Sequence, residues 1–165
     1  MKNILYIHGL DSFPKPERLE ILNRQSRAHA LHLDYQADTK SYQKLSDLIK
    51  SSSIDGIVGS SLGGLIGFWL SEAFTLPCLL FNPSLNAVIP PSYGVVQHYD
   101  NCPKRIIVLG QQDEVVNPWQ TLEFLKEHPN DNCQQEILMN SKMGHEIPIN
   151  YFERYVDLFF NAHSS

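Results

Sequence analysis

The residues of this chain best arranged for chemistry are the five of Gly59-Ser60-Ser61-Leu62-Gly63. A serine hydroxyl is a weak nucleophile until a base takes its proton, and it must project clear of the backbone to reach a carbonyl carbon. A sharp turn from strand into helix provides that projection, with glycines on either side where a side chain would collide with the neighbouring elements. The spacing therefore makes Ser61 the candidate nucleophile of an acyl transfer. Chance alone yields G-x-S-x-G in roughly one chain in twenty of this length. Context adds what the motif lacks: the apolar run Ile57-Val58 precedes it and the helical run Leu62 to Leu70 follows. A helix opening at Leu62 aims unpaired N–H groups and its positive dipole end at the apex, so the Leu62 amide is one candidate oxyanion donor. Phosphate-loop alternatives fail, because no G-x-x-x-x-G-K-[ST] is present and Ser60, Ser61 and Leu62 interrupt any G-x-G-x-x-G.

A serine on such a turn calls for an acid and then a histidine later in the chain, on loops that follow later strands. No carboxylate lies between Glu72 and Asp100, so the loop after the run Cys78 to Phe81 offers no acid. The run Ile106 to Leu109 leads into Gly110-Gln111-Gln112-Asp113-Glu114, which makes Asp113 the candidate acid, with Glu114 as the alternative and a turn or helix-cap role as the structural one. Of seven histidines, His8, His29 and His32 precede the serine and His163 falls in the tail. His98 precedes Asp113, and His128 ends a helix, where a cation suits the dipole. His145, in the loop Asn140 to Glu146 after the last strand, remains as the base; Asp113 would orient it through one ring nitrogen while the other accepts the Ser61 proton. The second oxyanion donor belongs to the loop after the first strand, where Gly9 lets the chain turn and present the Leu10 amide. His8 is read as a core histidine satisfied by backbone.

These groups require elements that deliver them to one edge. Apolar runs of strand length occur at Ile4 to Ile7, Ala30 to Tyr35, Ile54 to Gly59, Cys78 to Phe81, Arg105 to Leu109 and Gln135 to Met139, most of them continuous, as strands buried on both faces should be. Amphipathic stretches lie between and after them at Pro16 to His29, Ser41 to Ser51, Leu62 to Phe74, Pro118 to His128 and Pro148 to Asn161, several opened by proline. The alternation predicts an α/β three-layer sandwich: a mainly parallel six-stranded sheet, helices on both faces, and all strand carboxyl ends along one edge. Residues 1–165 read as one domain. The stretch 82–103 carries Pro83, Pro90 and Pro91 without a period and is expected to form a short loop or lid.

Composition narrows the partners. A chain of 165 residues buries enough surface for one core without staples. Eighteen acidic against thirteen basic residues, with no basic block longer than Lys104-Arg105, exclude a nucleic-acid footprint. Cys78, Cys102 and Cys133 are odd in number and lack metal spacing, which indicates free thiols, a reducing cytoplasmic setting and no structural zinc. No apolar run reaches membrane length, and the four apolar residues before His8 are too few for a signal core. No cofactor or metal is expected.

Together these residues resemble the α/β-hydrolase superfamily. Tyr6-Ile7-His8-Gly9 with Gly59-Ser60-Ser61-Leu62-Gly63-Gly64 is similar to the compact bacterial YqiA-like esterases, over nearly the whole chain. The resemblance implies a minimal α/β-hydrolase fold lacking the first two strands of larger members, the 82–103 segment in place of their cap, and hydrolysis of a small-molecule ester or thioester by Ser61, Asp113 and His145. Leu85, Val88, Tyr93, Val95, Val96 and Trp119 are candidate contacts for the acyl group. The absence of a basic cluster favours simple esters over nucleotide-bearing thioesters. An amidase or peptidase with the same triad, or a non-catalytic binding protein of this fold, are the competing readings.

Overall fold

The computed structural model describes residues 1–97, 103–128 and 134–162. Six strands, β1 (Lys2–Ile7), β2 (Ser26–Ala30), β3 (Gly56–Ser60), β4 (Cys78–Phe81), β5 (Arg105–Gly110) and β6 (Gln135–Asn140), form one sheet in the order β2-β1-β3-β4-β5-β6. All five pairings are parallel, so the sheet is wholly rather than mainly parallel. Helices α1 (Pro16–Asn23), α2 (Ser41–Ser52), α3 (Leu62–Phe74), α4 (Pro118–Glu127) and α5 (Ile149–Ala162) connect and cover the strands.

Strand parity divides the core into two apolar clusters, as alternating side chains require. Leu5, Ile7, Ile57, Leu80, Ile107 and Leu109 face α2, α3 and α4. Ile4, Tyr6, Val58, Leu79, Phe81, Ile106 and Val108 face α1 and α5. Because both faces are covered, β3, β4 and β5 are buried at every position, which accounts for their continuous apolar runs.

One strand differs from its sequence reading. β2 is Ser26–Ala30, not Ala30 to Tyr35, and α1 ends at Asn23 rather than running to His29. β2 lies at the sheet edge, where a short, half-buried, polar strand suffices, and Ser26 closes α1 by donating its hydroxyl to the Leu22 carbonyl at 2.7 Å. The apolar residues taken for a strand are loop residues drawn into the core by His8. The Leu33 N–H donates to His8 Nε2 at 2.9 Å, and the Tyr35 hydroxyl donates to the His8 carbonyl at 2.7 Å.

Within 82–103, residues 98–102 lie outside the described residues. The remainder contains a single turn of 3₁₀ helix at Pro91–Tyr93. Leu85 is buried, Tyr93 and Val95 pack on the helix-covered face, and Val88 is fully exposed.

Candidate active site

Ser61 sits between the end of β3 and the first residue of α3 with φ +54° and ψ −120°. A serine in this region is strained by about 1–3 kcal/mol, and it persists only where its surroundings over-determine it. The surroundings do so through backbone. The Ser61 N–H donates to the Phe81 carbonyl at 3.0 Å, and its carbonyl accepts from Leu65 at 3.0 Å and Ser84 at 3.2 Å. Glycine is obligatory beside it: a Cβ on Gly63 would overlap the Ile7 and His8 carbonyls, and one on Gly59 would overlap the Gly63 carbonyl. A Cβ on Gly9 would lie 3.2 Å from the Ser61 Cβ, so the β1 loop approaches the serine closely.

Ser61, Leu10 and His145 line a single cavity of about 330 Å³ at the carboxyl edge of the sheet, with Gly9, Phe13, Lys15 and Arg18. Leu10 supplies part of this wall as an exposed loop residue, and Leu62 opens α3 with its side chain turned into the core. Behind His145 stands Asp113. The His145 Nδ1 donates to Asp113 Oδ2 at 2.8 Å, while Oδ1 accepts the N–H groups of Val115 and Val116, each at 2.8 Å. Asp113 thus holds a turn and faces the imidazole at once, and its side chain is wholly buried. The helix-cap role belongs to Asn117 instead, whose side chain accepts from the N–H groups of Trp119 and Gln120. Glu114, the alternative acid, is exposed.

The other histidines are engaged elsewhere. His8 is buried, and because Nε2 accepts from Leu33, Nδ1 carries the proton and donates to the Gly9 carbonyl at 2.7 Å. Burial holds its pKa below the ordinary value, with the neighbouring His32 adding to the effect. The ring of His128 stacks on Phe124 and bonds the Phe124 carbonyl, while His29 meets the Asn3 side chain. His98 and His163 lie outside the described residues.

Two expectations about the cavity are corrected. None of Leu85, Val88, Tyr93, Val95, Val96 or Trp119 belongs to its described wall, because Leu85 is consumed by the core while Val88 and Trp119 point into solvent. Two cations do belong to it, although they form no block in the sequence. Lys15 pairs with Glu146 at 2.6 Å, and the buried Arg18 donates to the Tyr6 hydroxyl at 2.9 Å and the Ile147 carbonyl at 3.4 Å. The Lys15 bond holds the Glu146 carboxyl below its usual pKa. Asn82, at the end of β4, was also not foreseen; it bonds both the loop carrying Asp113 and the loop carrying His145. Its one sequence signal is an asparagine directly after an apolar strand and before a proline. Among the described residues no group of three or more His, Cys, Asp or Glu could hold a metal ion, and no helix is long and apolar enough to cross a membrane.

The solved structures similar in fold to this chain include hydrolases. The monoacylglycerol lipase of Paleococcus ferrophilus superposes with a TM-score of 0.71 at 13% identity, covering 96% of this chain and 94% of its own. Est1E of Butyrivibrio proteoclasticus gives 0.72 at 14% identity over 98% and 87%. Mouse alpha/beta hydrolase domain-containing protein 10 gives 0.71 at 13% over 98% and 90%. At these identities the likeness establishes the fold. A family model described as uncharacterised protein family UPF0227 matches residues 3–90, the half of the chain that contains the β1 loop, the Ser61 turn and Asn82. The chain therefore belongs to the UPF0227 family, and its fold is that of the α/β hydrolases on which it superposes.

Proposed function

We propose that this protein is a serine hydrolase that cleaves carboxylic esters through an acyl-enzyme intermediate. One observation carries the reading: a serine held at a strained turn shares a cavity with a histidine whose far nitrogen is bonded to a buried aspartate. In this mechanism His145 Nε2 takes the Ser61 proton as Oγ bonds to the ester carbonyl carbon, and Asp113 keeps the proton on Nδ1 and stabilises the imidazolium. The Leu10 and Leu62 amides receive the oxyanion, each contributing on the order of 3 kcal/mol to the transition state. The intermediate collapses as His145 protonates the departing alcohol, and water activated by the same histidine then releases the acid. In the same reading, residues 1–165 form one catalytic domain with the 82–103 segment in place of a cap. The free, buried Cys78 suits a reducing cytoplasmic setting.

A fluorophosphonate probe tests the proposal. The native protein is expected to be labelled once, on the peptide containing Ser61, and Ser61→Ala to be unlabelled and inactive on 4-nitrophenyl esters. A folded native protein that neither labels nor hydrolyses such esters would refute it.

A further inference from the structure

Asn82 is 2% exposed, occupies the first position after β4 and has a positive φ of 42°. Its side chain bonds to two segments far apart in sequence. Oδ1 accepts the Gly110 N–H at 2.8 Å, and Nδ2 donates to the carbonyls of Gly144 at 2.9 Å and His145 at 3.3 Å. The orientation of the amide is fixed by chemistry, since a backbone N–H can only donate and the two carbonyls can only accept. Gly110 ends β5, and its carbonyl accepts from the Asp113 N–H at 3.2 Å, which closes the turn that carries the acid. His145 carries the base. The two loops also touch backbone to backbone, as the Gln112 N–H donates to the Met143 carbonyl at 3.0 Å and a Cβ on Gly110 would overlap the Met143 and Gly144 carbonyls.

We propose that Asn82 is a positioning residue that sets the Asp113–His145 hydrogen bond by tying the acid loop and the base loop to the end of β4. This rests on the serine-hydrolase reading above and deepens it. The bond between Asp113 and His145 joins two side chains on irregular loops, and a displacement near 1 Å in such a pair costs on the order of 100-fold in rate. The loop after β4 contributes no carboxylate to the site; it contributes the amide that registers the two loops that do. Three bonds converge on one buried side chain, all of them to backbone within three residues of Asp113 or His145. Asparagine also tolerates the left-handed backbone that the position imposes.

Asn82→Gly keeps that backbone accessible and removes all three bonds, while Asn82→Asp keeps the shape and sets an oxygen against two carbonyls. Both are expected to lower kcat for a 4-nitrophenyl ester tenfold or more with KM within threefold, and to broaden or abolish the downfield proton resonance of His145 Nδ1. In the native protein the two Asn82 Nδ2 protons should exchange slowly with solvent, a readout that depends on no variant folding. A folded Asn82→Gly or Asn82→Asp with kcat within twofold and an unchanged resonance would overturn the proposal, as would rapid exchange of those side-chain protons. Absence of Ser61 labelling in the native protein is a separate result that sinks the hydrolase reading alone.

Discussion

Asp113→Asn is the sharpest test of how the acid works, because the two carboxylate oxygens have different employment. Oδ1 holds two backbone N–H groups at 2.8 Å, and those bonds survive in asparagine if the amide oxygen stays in place. The amide nitrogen then replaces Oδ2 and points its hydrogens at His145 Nδ1. Nδ1 can satisfy that contact only as an acceptor, which moves the imidazole proton to Nε2 and leaves no base for Ser61. A wrong tautomer of this kind costs about 10⁴ in kcat, or about 5.5 kcal/mol at the transition state. Folding should be nearly unaffected, since the turn bonds remain. Asp113→Ala differs: it also takes the carboxylate partner from the part-buried Val115 and Val116 N–H groups and should lose about 1 kcal/mol of stability for each. The assay is steady-state hydrolysis of 4-nitrophenyl acetate beside urea unfolding of the same preparations. Asp113→Asn within tenfold of native kcat, with folding intact, would refute the tautomer argument.

Two further outcomes follow from the packing and the charge states. Gly63→Ala drives a methyl group into the Ile7 and His8 carbonyls, so its unfolding free energy in urea should fall by about 3 kcal/mol or more; a loss under 1 kcal/mol would mean that β1 and α3 can separate freely. His8 has a folded pKa depressed below the ordinary 6.5, chiefly by burial, so the unfolded chain binds the extra proton first and stability falls as pH drops below about 6.5. His8→Gln should show a shallower decline over that window, and an identical slope would place the proton uptake elsewhere.

The parts readable in the sequence are those whose causes are local or periodic. α3 could be bounded at Leu62 and Phe74 because a glycine-flanked serine turn opens it and the helical apolar run ends there. β4 and β5 stood out because burial on both faces makes every position apolar. β2 was misplaced because an edge strand can be polar, while Leu33 and Tyr35 owe their burial to His8, more than twenty residues away. The same division runs through the site. Ser61, Asp113 and His145 were legible as candidates from residue type and chain order, and the structure brings Ser61 and His145 to one cavity and Asp113 to His145. Arg18, Lys15 and Asn82 were not legible, because each meets the site through partners far off in the chain, Asn82 across separations of 28, 62 and 63 residues. An asparagine has no type that announces positioning, and two cations separated by Pro16 and Glu17 form no visible cluster.

The split of the core by strand parity has a consequence for the growing chain. Everything that strains Ser61, from β1 through the Phe81 and Ser84 contacts, is synthesised within the first 84 residues. In the proposed mechanism the acid and base arrive only with residues 113 and 145, and the apolar face built by Ile4, Tyr6, Val58 and Phe81 has α1 alone to cover it until Phe152, Tyr155 and Phe159 of α5 emerge. The serine turn is therefore shaped early, and the groups proposed to act on it come later. A chain interrupted before residue 113 would display the turn without the proposed acid and base, so that labelling at Ser61 would report that the loops after β5 and β6 have been made.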